Sequence, residues 1–248
     1  MKKYLKFGII ILFVLFSLPD FTKAEIPQDK KNYLLGKFNP LQRADFVAIP
    51  LKYTMHKNKI YLRKETYQAF LKMRTMAKKE GISLKIASAT RNFIYQKDLW
   101  NKKWTGKTLV DTKNLKQTIP DELARFKKIL EYSAVPGTSR HHWGTDIDIN
   151  NAVPEYFDSE KGKKEYNWLI KNAPTFGFCQ TYNEREKRVN GYNEEKWHWS
   201  YLPIAKELTQ DYKNNITKND INNFDGDKYI EKIDLINDYV LNINPECL

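Results

Sequence analysis

Ser139-Arg140-His141-His142-Trp143-Gly144-Thr145-Asp146-Ile147-Asp148 places two of the chain's four histidines beside two carboxylates. Ile147 and Ile149 alternate with Asp146 and Asp148, the period-two pattern of a half-buried strand. Further on, Glu194-Glu195-Lys196-Trp197-His198-Trp199 sets a third histidine beside acids, and the aromatic-rich run from Trp197 to Tyr201 reads as another strand. A catalytic zinc site needs three protein ligands of N, O or S type and an open position for water. A further group, not a ligand, must accept the proton of that water. Two histidines and a carboxylate meet the first need. Glu195, three residues before His198, has a spacing that lets it stand beside a metal without binding it. Taken singly, either segment also fits an ordinary hydrogen-bonded histidine. Together they supply a ligand set and a base. His56, in Tyr53-Thr54-Met55-His56-Lys57, has no such company and reads as an ordinary histidine.

Outward from these segments, a helix is expected from about Lys64 to Lys79, with Tyr67, Phe70, Leu71 and Met76 on one side and Gly81 as its stop. Leu84 to Ala89 reads as a short buried strand, and Gln96 to Trp104 as helix. Pro120, Asp121 and Glu122 suit a helix start, with Leu123, Phe126 and Leu130 facing inward and Pro136-Gly137 closing it in a turn. From Asp225 to Val240 the spacing of Tyr229, Ile230, Ile233, Ile236 and Val240 predicts an amphipathic helix. Strands and helices mix without regular strand–helix–strand alternation, which favours an α+β fold.

The chain has 248 residues, 41% of them hydrophobic and 29% charged, a soluble globular composition with enough apolar material for a core. Lys2, Lys3 and Lys6 precede an apolar run from Gly8 to Leu18, followed by Pro19 and Thr22-Lys23-Ala24. That is the pattern of a cleaved secretory signal, and the run is too short to argue for a spanning helix. An uncleaved anchor is the alternative reading. We expect a signal peptide at 1–24, a polar linker at 25–31 and a single domain at 32–248 with a helical C-terminal tail. No stable membrane span is expected after cleavage, and the destination is the periplasm or cell envelope, or the outside. Removal of residues 1–24 takes away four lysines and Asp20, lowering the net charge from +12 to +9. The remaining lysines are scattered, and an exported chain rarely meets nucleic acid, so no nucleic-acid partner is expected. Two cysteines, Cys179 and Cys247, permit one disulfide that would tie the C-terminus to the body. Two buried thiols are the other reading, and an oxidising compartment favours the bridge.

The segment Ser139–Asp148 resembles the Ser-x-His-x-x-Gly-x-x-x-Asp signature of the VanY-type D-alanyl-D-alanine carboxypeptidases, zinc peptidases with a hedgehog-like α+β fold. Glu195-Lys196-Trp197-His198 is similar to that family's Glu-x-Trp-His element. Ser88-Ala89-Thr90-Arg91, followed by Gln96, is similar to its Ser-Gly-Tyr-Arg…Gln element. The resemblance implies a small central antiparallel sheet flanked by helices. It makes His141, Asp148 and His198 ligands of Zn2+ and Glu195 the catalytic base. Arg91 would hold the substrate carboxylate or the developing oxyanion, Ser139 and Gln96 would touch the substrate, and Trp197 would wall the pocket. The implied substrates are peptidoglycan stem peptides ending in D-Ala-D-Ala. Two positions depart from the family pattern. Thr90 stands where an aromatic is common, and Asp146 stands where many relatives have alanine, leaving a second carboxylate that either supports or competes with the ligands.

Other wall enzymes are excluded by their motifs. Ser-x-x-Lys, Ser-Asp-Asn and Lys-Thr-Gly are all absent, as is His-Glu-x-x-His. Two readings remain beside the carboxypeptidase. One is a D,D-dipeptidase or peptidoglycan endopeptidase with the same zinc site. The other is a non-catalytic hedgehog-like domain that binds wall, against which Glu195 argues.

Overall fold

Two short strands whose apolar and polar side chains alternate, Asp146–Ile149 and His198–Tyr201, organise the molecule. The computed structural model describes residues 26–248 except His56, Arg185, Lys187 and Val189. The signal-peptide reading, Glu25 and His56 therefore lie outside the described residues. The seven helices named here are α1 (Gln28–Leu34), α2 (Lys64–Lys79), α3 (Phe93–Trp104), α4 (Leu115–Thr118), α5 (Glu122–Leu130), α6 (Glu160–Asn172) and α7 (Leu202–Asn215). The strands are β1 (Phe46–Ala48), β2 (Tyr61–Arg63), β3 (Ile86–Ser88), β4 (Asp146–Ile149), β5 (Phe178–Gln180) and β6 (His198–Tyr201). β1 and β2 form a separate antiparallel pair, while the other four strands form an antiparallel sheet in the order β3-β4-β6-β5. The fold is α+β, with a small antiparallel sheet among helices.

Ile147, Ile149, Trp199 and Phe178 pack on one side of this sheet with Phe70, Met73 and Ala77 of α2 and Trp168 and Leu169 of α6. The polar residues between them point the other way. β4 was expected to be half-buried, but all four of its residues are buried. A second cluster explains this: Trp100, Phe126, Trp143, Tyr182, Tyr192 and Tyr212 form an aromatic-rich core that also takes in the C-terminal segment. The polar face of β4 is thus enclosed, and each charge on it needs a partner.

α2 spans the expected residues, but its buried face runs through Tyr67, Phe70, Met73 and Ala77. Met76 is exposed and Leu71 only half-buried, because steps of three and four from Phe70 reach 73 and 77. Asp121 caps α5, its carboxylate accepting from the Ala124 N–H at 2.7 Å, so Pro120 sits outside the helix. That helix ends at Leu130, ahead of the turn at Pro136-Gly137, and Tyr132, Ser133 and Ala134 between them become a wall of the site.

Two expectations need correction. Residues 28–31, read as linker, begin α1, because Tyr33 and Leu34 bury themselves and Lys30 and Lys31 pair with Asp211 and Asp220, each at 2.7 Å. The tail is not one amphipathic helix. It is a 3-10 segment, Asp227–Lys232, followed by a π-helical turn, Ile236–Val240. Ile233 is extended, and Asp234 accepts from the Asn237 backbone N–H at 3.2 Å to start the new turn. Its apolar residues Ile230, Ile233 and Val240 still reach the core, in the register of a bent chain instead of a helix.

Among the described residues no helix is long and apolar enough to cross a membrane. Cys179, in β5, is bonded to Cys247 with a Cα–Cα distance of 5.7 Å across a sequence separation of 68. Closing so long a loop restricts the unfolded chain, so replacing both cysteines by alanine should lower unfolding free energy by about 2–4 kcal/mol. Urea denaturation under non-reducing conditions measures this. A loss well under about 1 kcal/mol would show that packing alone fixes the C-terminus.

Candidate metal centre and active site

β4 and β6 pair with Asp148 opposite His198 and Asp146 opposite Ser200. This register puts Asp146, Asp148, His198 and Ser200 on one buried face. His141 arrives from the 3-10 turn Arg140–Trp143 that leads into β4. Gly144 joins turn to strand with φ of 73°, and a Cβ there would lie 2.5 Å from the Phe46 ring. Only glycine suits both demands.

His141 Nδ1–H donates to the Ala89 carbonyl at 2.8 Å, which turns Nε2 toward Asp148 Oδ1 at 3.3 Å. Both of those facing atoms are buried without a hydrogen-bond partner. His198 donates from Nε2–H to Asp146 Oδ1 at 2.9 Å, so Nδ1 faces Asp148 Oδ1 at 3.5 Å and Glu195 Oε2 at 3.2 Å. The ligand atoms offered by His141, Asp148 and His198 all lie within 4.8 Å of one another. Ligands held at zinc's usual bond lengths in a tetrahedral arrangement stand about 3.3–3.5 Å apart. The donor set therefore fits a zinc ion, with two imidazoles and one carboxylate oriented before it binds.

Asp146 is not a fourth ligand. Its carboxylate accepts from His198, from Arg140 Nε at 3.3 Å, from Thr145 Oγ1 at 2.6 Å and from Ser200 Oγ at 3.1 Å. Arg140, only 1% exposed, also donates to Thr209 Oγ1 at 2.9 Å and Ser200 Oγ at 3.1 Å. Burial would raise the Asp146 pKa, but Arg140 and His198 outweigh it and keep the carboxyl far below its ordinary range. A carboxylate bonded to the far nitrogen of a ligand histidine fixes its tautomer and ring orientation. The departure from alanine at this position thus supports the ligand set.

Burial and charge shift the three residues of this donor set in different directions. Burial opposes ionisation of Asp148, yet His141 and its neighbours hold its pKa at about 2. Burial would lower His198, but hydrogen bonds to Asp146 and Glu195 lift it to about 9. Burial and the nearby Arg91 charge lower His141. Glu195 is raised by burial, partly offset by His198, which makes its carboxylate a better proton acceptor than an exposed glutamate. His142, by contrast, points away. It donates from Nδ1–H to the Arg91 carbonyl at 2.5 Å and accepts from the Gly137 N–H at 3.0 Å. Burial pushes its pKa down to about 3, so it stays neutral and structural.

One cavity of about 190 Å³ gathers all eight residues singled out in the sequence: Arg91, Gln96, Ser139, His141, Asp148, Glu195, Trp197 and His198. Arg91 follows β3, with its backbone N–H donating to the His141 carbonyl at 3.2 Å and its side-chain Nε buried without a partner. Gln96 is buried and donates to the Ala134 carbonyl at 2.7 Å, leaving Oε1 unpartnered. Trp197 forms a wall between Tyr132 and Phe157, with ring centroids 6.1 Å from each. Sequence reasoning missed Arg140, Lys103, Tyr132, Ser133, Tyr182 and Tyr192. Arg140 was the most legible of these, since it lies in the quoted motif. Asp146→Asn should weaken zinc binding about 10–100-fold, read by competition with a chelator. Undiminished affinity would mean that His198 is oriented without the carboxylate.

Comparison with known proteins agrees with this geometry. A family model described as VanY, D-alanyl-D-alanine carboxypeptidase, matches residues 59–204. The chain is 27% identical over 191 residues to "Putative carboxypeptidase YodJ" of Bacillus subtilis (strain 168), covering 74% of this chain and 62% of that protein. It is 37% identical over 71 residues to a D-alanyl-D-alanine carboxypeptidase of Enterococcus faecalis (strain ATCC 700802 / V583), covering 29% of this chain and 25% of that protein. The chain thus spans less than two thirds of either relative. The LdcB LD-carboxypeptidase structure superposes with a TM-score of 0.52 at 23% identity over 88% of this chain and 94% of that one, a likeness of fold. With the model covering more than half of its length, from β2 to the start of α7, the chain belongs to the VanY D-alanyl-D-alanine carboxypeptidase family.

Proposed function

We propose that this protein is a zinc-dependent D-alanyl-D-alanine carboxypeptidase that removes the terminal D-alanine from peptidoglycan stem peptides. The observation that carries the proposal is a buried His141–Asp148–His198 donor set, with two of its atoms unpartnered, beside Glu195 in one cavity. When bound there, zinc supplies Lewis acidity, polarising a carbonyl and lowering the pKa of water toward about 7. Glu195 accepts the proton of the attacking water and passes it to the leaving amine of the terminal D-alanine. Arg91 offers a planar fork to the substrate carboxylate. Ser139 and Gln96 contact the peptide, and Trp197 closes the pocket wall. The N-terminal sequence supports export to the periplasm or cell envelope, where such peptides occur.

Incubation of a muropeptide ending in D-Ala-D-Ala with zinc-loaded protein, followed by mass spectrometry, tests the reading. Loss of one alanine is expected. Glu195→Ala should lower the rate about 10²–10⁴-fold while keeping its zinc. Loss of a dipeptide, or a cut farther in, would reassign the same site to a dipeptidase or endopeptidase. Absence of any cleavage in zinc-loaded protein would support a wall-binding domain.

A further inference from the structure

Two cations face the cavity without a carboxylate partner. Gln96, Trp100 and Lys103 recur at steps of four and three along α3 and all line it. The neighbouring Lys102 turns outward and pairs with Asp98 at 2.6 Å on the solvent side. Lys103 instead donates from Nζ to Ser133 Oγ, in the chain that follows α5. Among the described residues no carboxylate lies within 4.0 Å of Lys103 or Arg91, whereas Lys30, Lys31, Lys128 and Lys228 each find one. Arg91 Nε is buried and unpartnered in the same cavity. Burial, and next to it the Arg91 charge, push the Lys103 pKa down to about 8. The cavity's own carboxylates, Asp148 and Glu195, belong to the metal centre. What the cavity lacks is an anion.

We propose that Lys103, together with Arg91, forms a two-cation site for the free C-terminal carboxylate of the bound peptide, making Lys103 the residue that confines this protein to chain ends. The inference rests on the reading above and deepens it. A terminal carboxylate has two oxygens, one for the Arg91 fork and one for the Lys103 ammonium, with Ser133 holding that ammonium in place. An internal peptide bond or a C-terminal amide brings no charge, and would leave two cations enclosed without a counter-ion. Lys103 thus discriminates between ends and interiors through what it would leave unpaired.

Binding of two peptides, one ending in D-Ala-D-Ala as the free acid and the other as its amide, tests this by calorimetry in zinc-loaded Glu195→Ala protein. The acid should bind about 10–100-fold more tightly than the amide. Lys103→Met should remove most of that ratio by weakening the acid alone, and Lys103→Arg should restore part of it. An equal loss for both peptides, or no loss, would overturn the proposal by making Lys103 structural or idle. Should Lys103→Met fail to fold, the ratio in the parent protein decides: a parent that binds acid and amide equally overturns it as well. Hydrolysis by native protein is scored separately. Cleavage without Lys103-dependent selectivity would sink this inference and leave the carboxypeptidase reading, while selective binding without cleavage would do the reverse.

Discussion

Antiparallel pairing of β4 with β6 is the constraint on which the rest depends. It sets Asp148 opposite His198 and Asp146 opposite Ser200 on a buried face. Enclosed carboxylates cost several kcal/mol each unless they are partnered, so the neighbourhood of this face is dictated by electrostatics. Arg140 offsets Asp146 from within. Asp148, with an unpartnered oxygen turned toward two imidazoles, is left for a metal. The hydrophobic side of the same strands, clamped by α2 and α6, prevents a register slip that would exchange the two faces.

The two histidines of the candidate metal site are oriented by different means. His141 takes its direction from a backbone carbonyl in the strand next to β4, so its placement follows from sheet geometry. His198 takes its direction from Asp146, and through it from Arg140, Thr145 and Ser200. The second arrangement ties the fold to the candidate site, because the side chain that neutralises Arg140 also fixes His198. Removing that carboxylate would leave a buried guanidinium as well as a free imidazole.

Much of the site was legible because its residue types are scarce and their spacing is restrictive. Three histidines in two short motifs, with Glu195 three residues before His198, left few arrangements to consider, and all eight chosen residues line one cavity. The bounds of α2 were legible because a long amphipathic period outweighs local noise, although half of its expected face, Leu71 and Met76, is not buried. The tail misled for the opposite reason. Ile230, Ile233 and Val240 do reach the core, but a bent chain can satisfy the same spacing, and Asn- and Asp-rich sequence favours local turns over a continued helix. Asp146 stood in plain view, yet its role depended on a strand pairing that spacing does not reveal. Lys103 and Ser133 were missed because α3 and the chain after α5 meet only in three dimensions.

Zinc content together with zinc K-edge absorption spectroscopy, on the native protein and on Asp148→Ala, tests the central claim most directly. The account predicts one zinc per native chain, coordinated by two imidazoles and oxygen at about 2.0–2.2 Å with no sulfur, and a large loss of zinc in the variant. Zinc retained undiminished in Asp148→Ala, or a first shell with fewer than two imidazoles, would contradict it.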